Sequence, residues 1–128
     1  EYANAQKIPM AMLQNSAGNF VEPTLDSFTA AAETEMPADT RVMITNSQNP
    51  AAYPITSFTW IIIYKEQSYR GRSSEVATAT VNTIKWLTGV NAQAIAMSVH
   101  YAALPQNAAQ QAAAVLAGVT FEGNTILK

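Results

Sequence analysis

Hydrophobic and polar positions change period several times along this chain, and each change marks an element. Ile8-Pro9-Met10-Ala11-Met12-Leu13 reads as a short strand, which Pro9, lacking an N–H, restricts to an edge or a strand start. A turn-rich stretch follows over residues 14–19. Thr24, just after Pro23, is placed to cap a helix in which Leu25, Phe28, Thr29 and Ala32 recur at helical spacing, with Asp26 in the first turn. That helix frays by Met36-Pro37. Residues 41–45 read as a second strand and residues 46–50 as a polar loop.

Residues 55–64, from Ile55 to Tyr64, carry the strongest strand pattern, rich in β-branched and aromatic side chains. Their second half is apolar on both faces, which suits a central strand of an α/β sheet covered from both sides. Residues 65–73 are polar, contain Gly71 and read as a loop. Ser73 or Ser74 caps the next helix, with Glu75 in its first turn and Val76, Ala79, Thr80, Thr83, Ile84 and Leu87 at helical spacing. Gly89 is expected to stop it. Residues 91–103 predict another helix. Pro105 opens a last, Ala- and Gln-rich helix over residues 106–116, which Gly118 ends. Residues 120–127 are expected to hold a turn at Gly123-Asn124 and a short terminal strand.

The predicted order is strand, helix, strand, loop, strand, then three helices in succession. A complete doubly wound sheet would alternate more regularly, and three clear strands are few against a mean of about 5–6 per sheet. The expectation is an incomplete mixed sheet flanked by helices, a piece of a larger α/β protein. Composition agrees: charged residues are 12% of the chain, against about 25% in an average soluble domain, so part of the surface is expected to be covered. The first residues, Glu1 to Lys7, read as the end of a helix without its start. The opening on Glu1, with no Met, reads as a chain processed or trimmed from a longer one.

The chemistry that composition excludes is broad. The 128 residues contain no Cys, which removes disulfides, thiolate metal sites and a Cys nucleophile. Net charge is −2, and Lys7, Arg41, Lys65, Arg70, Arg72, Lys85 and Lys128 are scattered, so no nucleic-acid footprint is expected. The apolar run at residues 60–64 is far short of the about 20 residues that span a bilayer. His100 is the one histidine. A hydrolytic triad would need it to meet a Ser and either Asp26 or Asp39, and no Gly-x-Ser-x-Gly elbow exists. Glu33 and Glu35, two apart, do not share a helix face. Ser73-Ser74-Glu75, with Arg70 and Arg72 nearby, could present helix N–H groups to an anion, but capping explains them better. Thr56 and Ser57 read as ordinary strand hydroxyls, Trp60 and Trp86 as core, and Met10, Met12, Met36, Met43 and Met97 as core filler. No catalytic residue, metal site or cofactor is expected.

Five segments in order carry a resemblance: Glu22-Pro23-Thr24 leading to Phe28 and Ala31-Ala32; Tyr53-Pro54-Ile55-Thr56-Ser57; Trp86, Thr88 and Gly89; and Tyr101, Leu104 and Pro105, all after Glu1-Tyr2-Ala3. In these the chain resembles the C-terminal part of the phosphate-binding proteins of ABC phosphate transporters. The resemblance implies a two-lobed periplasmic-binding-protein-like fold, with residues 1–49 the end of the second lobe and residues 50–128 the hinge return and C-terminal part of the first. It implies a non-enzymatic, extracytoplasmic solute-binding component whose partners are phosphate or a related oxyanion, a membrane permease, and the missing N-terminal part or a second copy of the chain. The family's anion-binding segments would lie upstream of Glu1, so no phosphate-binding residue is assigned here. The alternative is a stand-alone interaction or scaffold module of the same fold, dimerising or pairing through open sheet edges.

Overall fold

The computed structural model describes residues 2–127; the expectation for Glu1 lies outside the described residues. A short helix, α1 (Tyr2–Ala5), leads to a ribbon of β1 (Leu13–Gln14) and β2 (Phe20–Val21), antiparallel with Leu13 opposite Val21. Helix α2 (Leu25–Ala32) begins at Thr24, whose hydroxyl accepts from the Ser27 N–H at 3.2 Å while Ser27 Oγ accepts from the Thr24 N–H at 2.9 Å. This reciprocal box satisfies two N–H groups that a helix start leaves bare. Helices α3 (Ser74–Leu87), α4 (Val90–Ser98) and α5 (Gln106–Ala117) then follow. The hairpin of β3 (Thr120–Phe121) and β4 (Asn124–Thr125) closes the described chain.

Helix and small sheets thus mix as in an α/β chain. Ser73 caps α3, with its Oγ accepting from the Val76 N–H, and Pro105 and Gly118 bound α5. Gly89 has another role than expected. Thr88 closes α3, and Gly89 (φ −85, ψ 161) is the first cap of α4. A Cβ there would lie 3.2 Å from Trp86 O, so a larger residue at this tight helix junction would push the end of α3 aside by a few tenths of an ångström. Helix α4 ends at Ser98, short of the predicted residue 103, because His100 adopts a left-handed conformation (φ 66). Tyr101 N–H then bonds Ala96 O at 3.0 Å and His100 N–H bonds Met97 O at 3.1 Å, a Schellman closure. The last turn falls at Glu122-Gly123 (φ 49 and 78), one residue earlier than predicted.

The expected strands are corrected more deeply. Of residues 8–13 only Leu13 joins a ladder, and residues 41–45 and 55–64 join none. A strand exists through its partner, and these segments have no neighbouring strand among the described residues. Just beyond them, Glu66 makes a parallel bridge to Thr120, through Thr120 N–H to Lys65 O (2.9 Å) and Gln67 N–H to Thr120 O (2.8 Å). With the antiparallel hairpin, this bridge is all that the described residues show of a mixed sheet.

Burial gathers in two places. Near the first ribbon lie Ala31, Ala32, Ile44 and Ala52 with the polar Asn15 and Ser27; between α3 and α5 lie Val81, Leu116 and Val119, flanked by partly buried Ile63, Ile84, Ile126 and Leu127. The expected core positions of Trp60, Trp86 and four of the methionines are not realised. Trp60 is 44% exposed, Trp86 52% and Met43 80%, and Met10, Met12 and Met97 are exposed as well. Their side chains suit burial, but the described residues cover them only in part; Trp60, for one, meets the Phe58 ring edge-on at 5.8 Å.

Candidate functional site

Two concavities flank the segment after Pro54. The larger, of about 430 Å³, lies between Phe28, Ala32 and Ile44 on one side and Leu87, Ala96 and residues 100–104 on the other, with residues 55–59 along it. The smaller, about 160 Å³, runs between residues 58–63 and helices α3 and α5, against Ile84, Val115 and Leu116. Neither is lined by a Lys or Arg. Three polar residues of the larger one are turned into the backbone. Thr56 Oγ1 donates to Tyr53 O (2.8 Å) and Thr88 Oγ1 to Ile84 O (3.2 Å). The Gln93 amide donates to Leu87 O (2.8 Å) and accepts from the Leu104 N–H (2.7 Å). An oxyanion receptor needs converging N–H or cationic donors; these walls are largely apolar, carry no Lys or Arg, and the Thr56 and Thr88 hydroxyls are already engaged.

The structure disperses the candidates named from sequence. His100 is exposed at the α4 terminus and lines the larger cavity with no Asp beside it there. Glu33 and Glu35 are exposed, and Glu33 accepts from the Asn49 amide at 3.3 Å. Ser73 fills its cap position, and hydrogen bonding, first from Ser73 and then within Glu75 and from Ser74, holds the Glu75 carboxyl below its usual range. That helix start already has its anion. Arg72 does not extend toward solvent as an anion clamp. Its guanidinium donates to the Tyr69 hydroxyl (2.6 Å) and the Thr80 hydroxyl, and lies 5.4 Å from the Tyr69 ring centroid. Among the described residues no three His, Asp or Glu side chains gather.

Two residues that pattern alone passed over organise the molecule. Asn15, 5% exposed, donates its amide to Pro50 O (2.9 Å) and Ala52 O (3.1 Å) and accepts from the Ala17 and Asn19 N–H groups (3.1 Å each). Glu66 accepts from the Ser68 N–H (2.9 Å), Thr120 Oγ1 (2.7 Å), the Glu122 N–H (3.0 Å) and the Gly123 N–H (3.2 Å). These bonds, led by the Ser68 N–H, lower its pKa to about 2. The positive-φ turn at Glu122-Gly123 is what points two N–H groups at one carboxylate. Turn composition around residues 15 and 122 was the available signal; the distant partners were not visible.

Fold and surface together show an α/β chain of mixed helices and small sheets with two largely apolar concavities. No family model matches the chain. Phosphate-binding protein PstS of Xylella fastidiosa is 34% identical to it over 113 residues, 86% of this chain and 30% of that protein. Proteins of the same name from Pasteurella multocida (28% over 113 residues, 86% of this chain and 31% of theirs) and Methanocaldococcus jannaschii (27% over 118 residues, 85% and 30%) are similar in the same way. The chain is thus similar to one segment of these phosphate-binding proteins, and spans about 30% of the length of the relatives it matches.

Proposed function

We infer that this chain is the framework portion of an extracytoplasmic, non-enzymatic solute-binding component of an ABC phosphate importer. The observation that carries the reading is the relation along 113 residues to proteins named for phosphate binding, in a chain whose cavities hold no Lys or Arg. The working protein takes phosphate or a related oxyanion and passes it to a membrane permease, in the periplasm or its equivalent. No helix among the described residues is long and apolar enough to cross a membrane. The anion site belongs to polypeptide beyond these residues, upstream of Glu1. Residues 1–49 close the second lobe and residues 50–128 return through the hinge to the first. The bonds from Asn15 to Pro50 and Ala52, and from the Tyr53 N–H to Ser27 O (3.1 Å), support a hinge a few residues later, after Pro54.

Calorimetry decides it. The 128-residue chain should show no heat of phosphate binding, and a longer polypeptide that includes it should bind. Tight phosphate binding by the 128-residue chain would overturn the framework reading. The open apolar surface around Ile62 favours one second reading, an interaction module. It predicts a stable dimer of the 128-residue chain by light scattering and no phosphate binding by any longer form.

A further inference from the structure

We propose that residues 34–40 form a detachable strap, closed over the smaller cavity by the amides of Asn107 and Gln111, with a minor state in which the strap swings off α5. The segment follows α2 and has no regular structure. The Asn107 amide donates to Thr34 O (2.6 Å) and the Gln111 amide to Ala38 O (2.9 Å), each 73 positions away. Residues four apart share one face of a helix. The two amides therefore stand a turn apart on α5 and take the strap at two carbonyls with the same spacing. Their neighbours Ala108 and Ala112 line the smaller cavity, as do Met36 and Thr40 of the strap. The strap thus runs along α5 at the rim of that cavity, and Met36, midway between the attachment points, supplies part of its wall.

Strain opposes the attachment. Thr40, at the end of the strap, is left-handed (φ 61), a conformation in which a β-branched residue is a genuine outlier. The bonds inside the segment are local and do not hold it to α5: the Thr34 N–H bonds Ala32 O (2.9 Å), the Thr40 N–H bonds Pro37 O (2.9 Å), and Asp39 pairs with Arg41 (2.7 Å). The strain of one such residue is of the same order as the stabilisation from two exposed hydrogen bonds. The closed state is therefore favoured by a small margin, and the open one is a populated minor state. On release Thr40 returns to an ordinary conformation, and the cavity loses the wall that Met36 and Thr40 provide.

The strap joins distant parts of the chain. It lies before residue 50, and α5 lies after it. At its start the Asn49 amide bonds the Glu33 carboxylate (3.3 Å), which gives the segment a fixed end to pivot from. The device needs neither phosphate nor a division into lobes, so it goes beyond the functional reading and stands if that reading fails.

Peroxide oxidation of the 128-residue chain, followed methionine by methionine by mass spectrometry, tests this, because sulfoxide forms where the oxidant reaches the thioether. Met36 is half-buried in the closed strap, and Met43, 80% exposed, is the internal reference. In the wild type Met36 should react more slowly than Met43. The double variant Asn107→Asp, Gln111→Glu keeps the size of both side chains and removes both donated bonds, and its Asp falls in the first turn of α5, where an acid is favourable. Met36 oxidation should speed at least about threefold in it, with Met43 unchanged. Thr40→Asn, which tolerates the left-handed conformation, should slow Met36 instead. Equal rates for Met36 and Met43 in the wild type, an unchanged Met36 rate in the double variant, or a faster one in Thr40→Asn each overturns the proposal. Hydrogen exchange separates release from unfolding: the Thr40 amide should speed in the double variant while those within α5 do not. Equal acceleration of both would mean that the strap does not move on its own, and the proposal would fall.

Discussion

The turn at Asn15 and the segment at residues 57–63 solve the same problem in opposite ways. Asn15 is a polar side chain inside the protein, and each of its two donors and two acceptor positions is used, drawing residues 15–19 against residues 50–52. Residues 57–63 are among the most apolar in the chain, and Trp60, Ile61 and Ile62 remain exposed with their backbone unpaired. The closed region is closed by polar groups with partners in reach. The open one has the better composition for a core and lacks the neighbours that would make it one. Burial is a property of a pair of surfaces, and hydrophobicity supplies only one of them.

This comparison ranks two substitutions. Asn15→Ala removes the partner of two carbonyls and two N–H groups, and should destabilise the chain by about 3 kcal/mol. Leu116→Ala, although 116 is among the most buried apolar positions, should cost only about 2 kcal/mol, at the low end for such a truncation, because the partly exposed rim of Ile63, Ile84 and Ile126 can settle into the space. Urea denaturation of both variants checks the order. A larger loss for Leu116→Ala would break the comparison, since it would mean that the α3–α5 cluster is a finished core.

The same contrast explains what the sequence made legible. Helix limits depend on residues within a turn of the end, so Thr24, Ser73, Pro105 and Gly118 could be read directly. The strand character of residues 55–64 could also be read, but its pairing depends on residues far away, and β pairing has no local signature. Trp60, Trp86 and four of the methionines are exposed where a core was expected, because burial too depends on distant partners. Asn15 and Glu66 failed in reverse. Each looked like ordinary turn or loop polarity, and its importance comes from partners about 35 and 55 positions away, at Pro50 and Thr120 to Gly123.

His100 offers a smaller test, now on the boundary between the regions. It sits at the left-handed position of the α4 terminus, where glycine carries no Cβ penalty. His100→Gly should therefore stabilise the chain by about 0.5–1 kcal/mol. A stability loss would show that the imidazole makes contacts that matter at the mouth of the larger cavity, and that the open side of the molecule is less empty than its geometry indicates.

The smallest effect should come from Glu66, where the open strand meets the closed hairpin. Its carboxyl is exposed, yet four hydrogen bonds hold its pKa at about 2 against an ordinary 4.5. A depressed carboxylate stabilises the fold fully above the ordinary value. As pH falls through 4.5 the unfolded chain takes up the proton first, and the contribution fades until it is gone near 2. Asp39, beside Arg41, and Glu75, beside Ser73, are lowered in the same direction, so wild-type acid sensitivity alone does not isolate Glu66. Glu66→Gln does: its stability should run parallel to wild type above 4.5 and fall less steeply below. A carboxyl titration by NMR should find the Glu66 midpoint near 2 and the Glu122 and Gly123 amides shifting with it. A midpoint near 4.5 would mean that the hairpin is not held to the strand by this carboxylate, and the one fixed point in the strand's register would be lost.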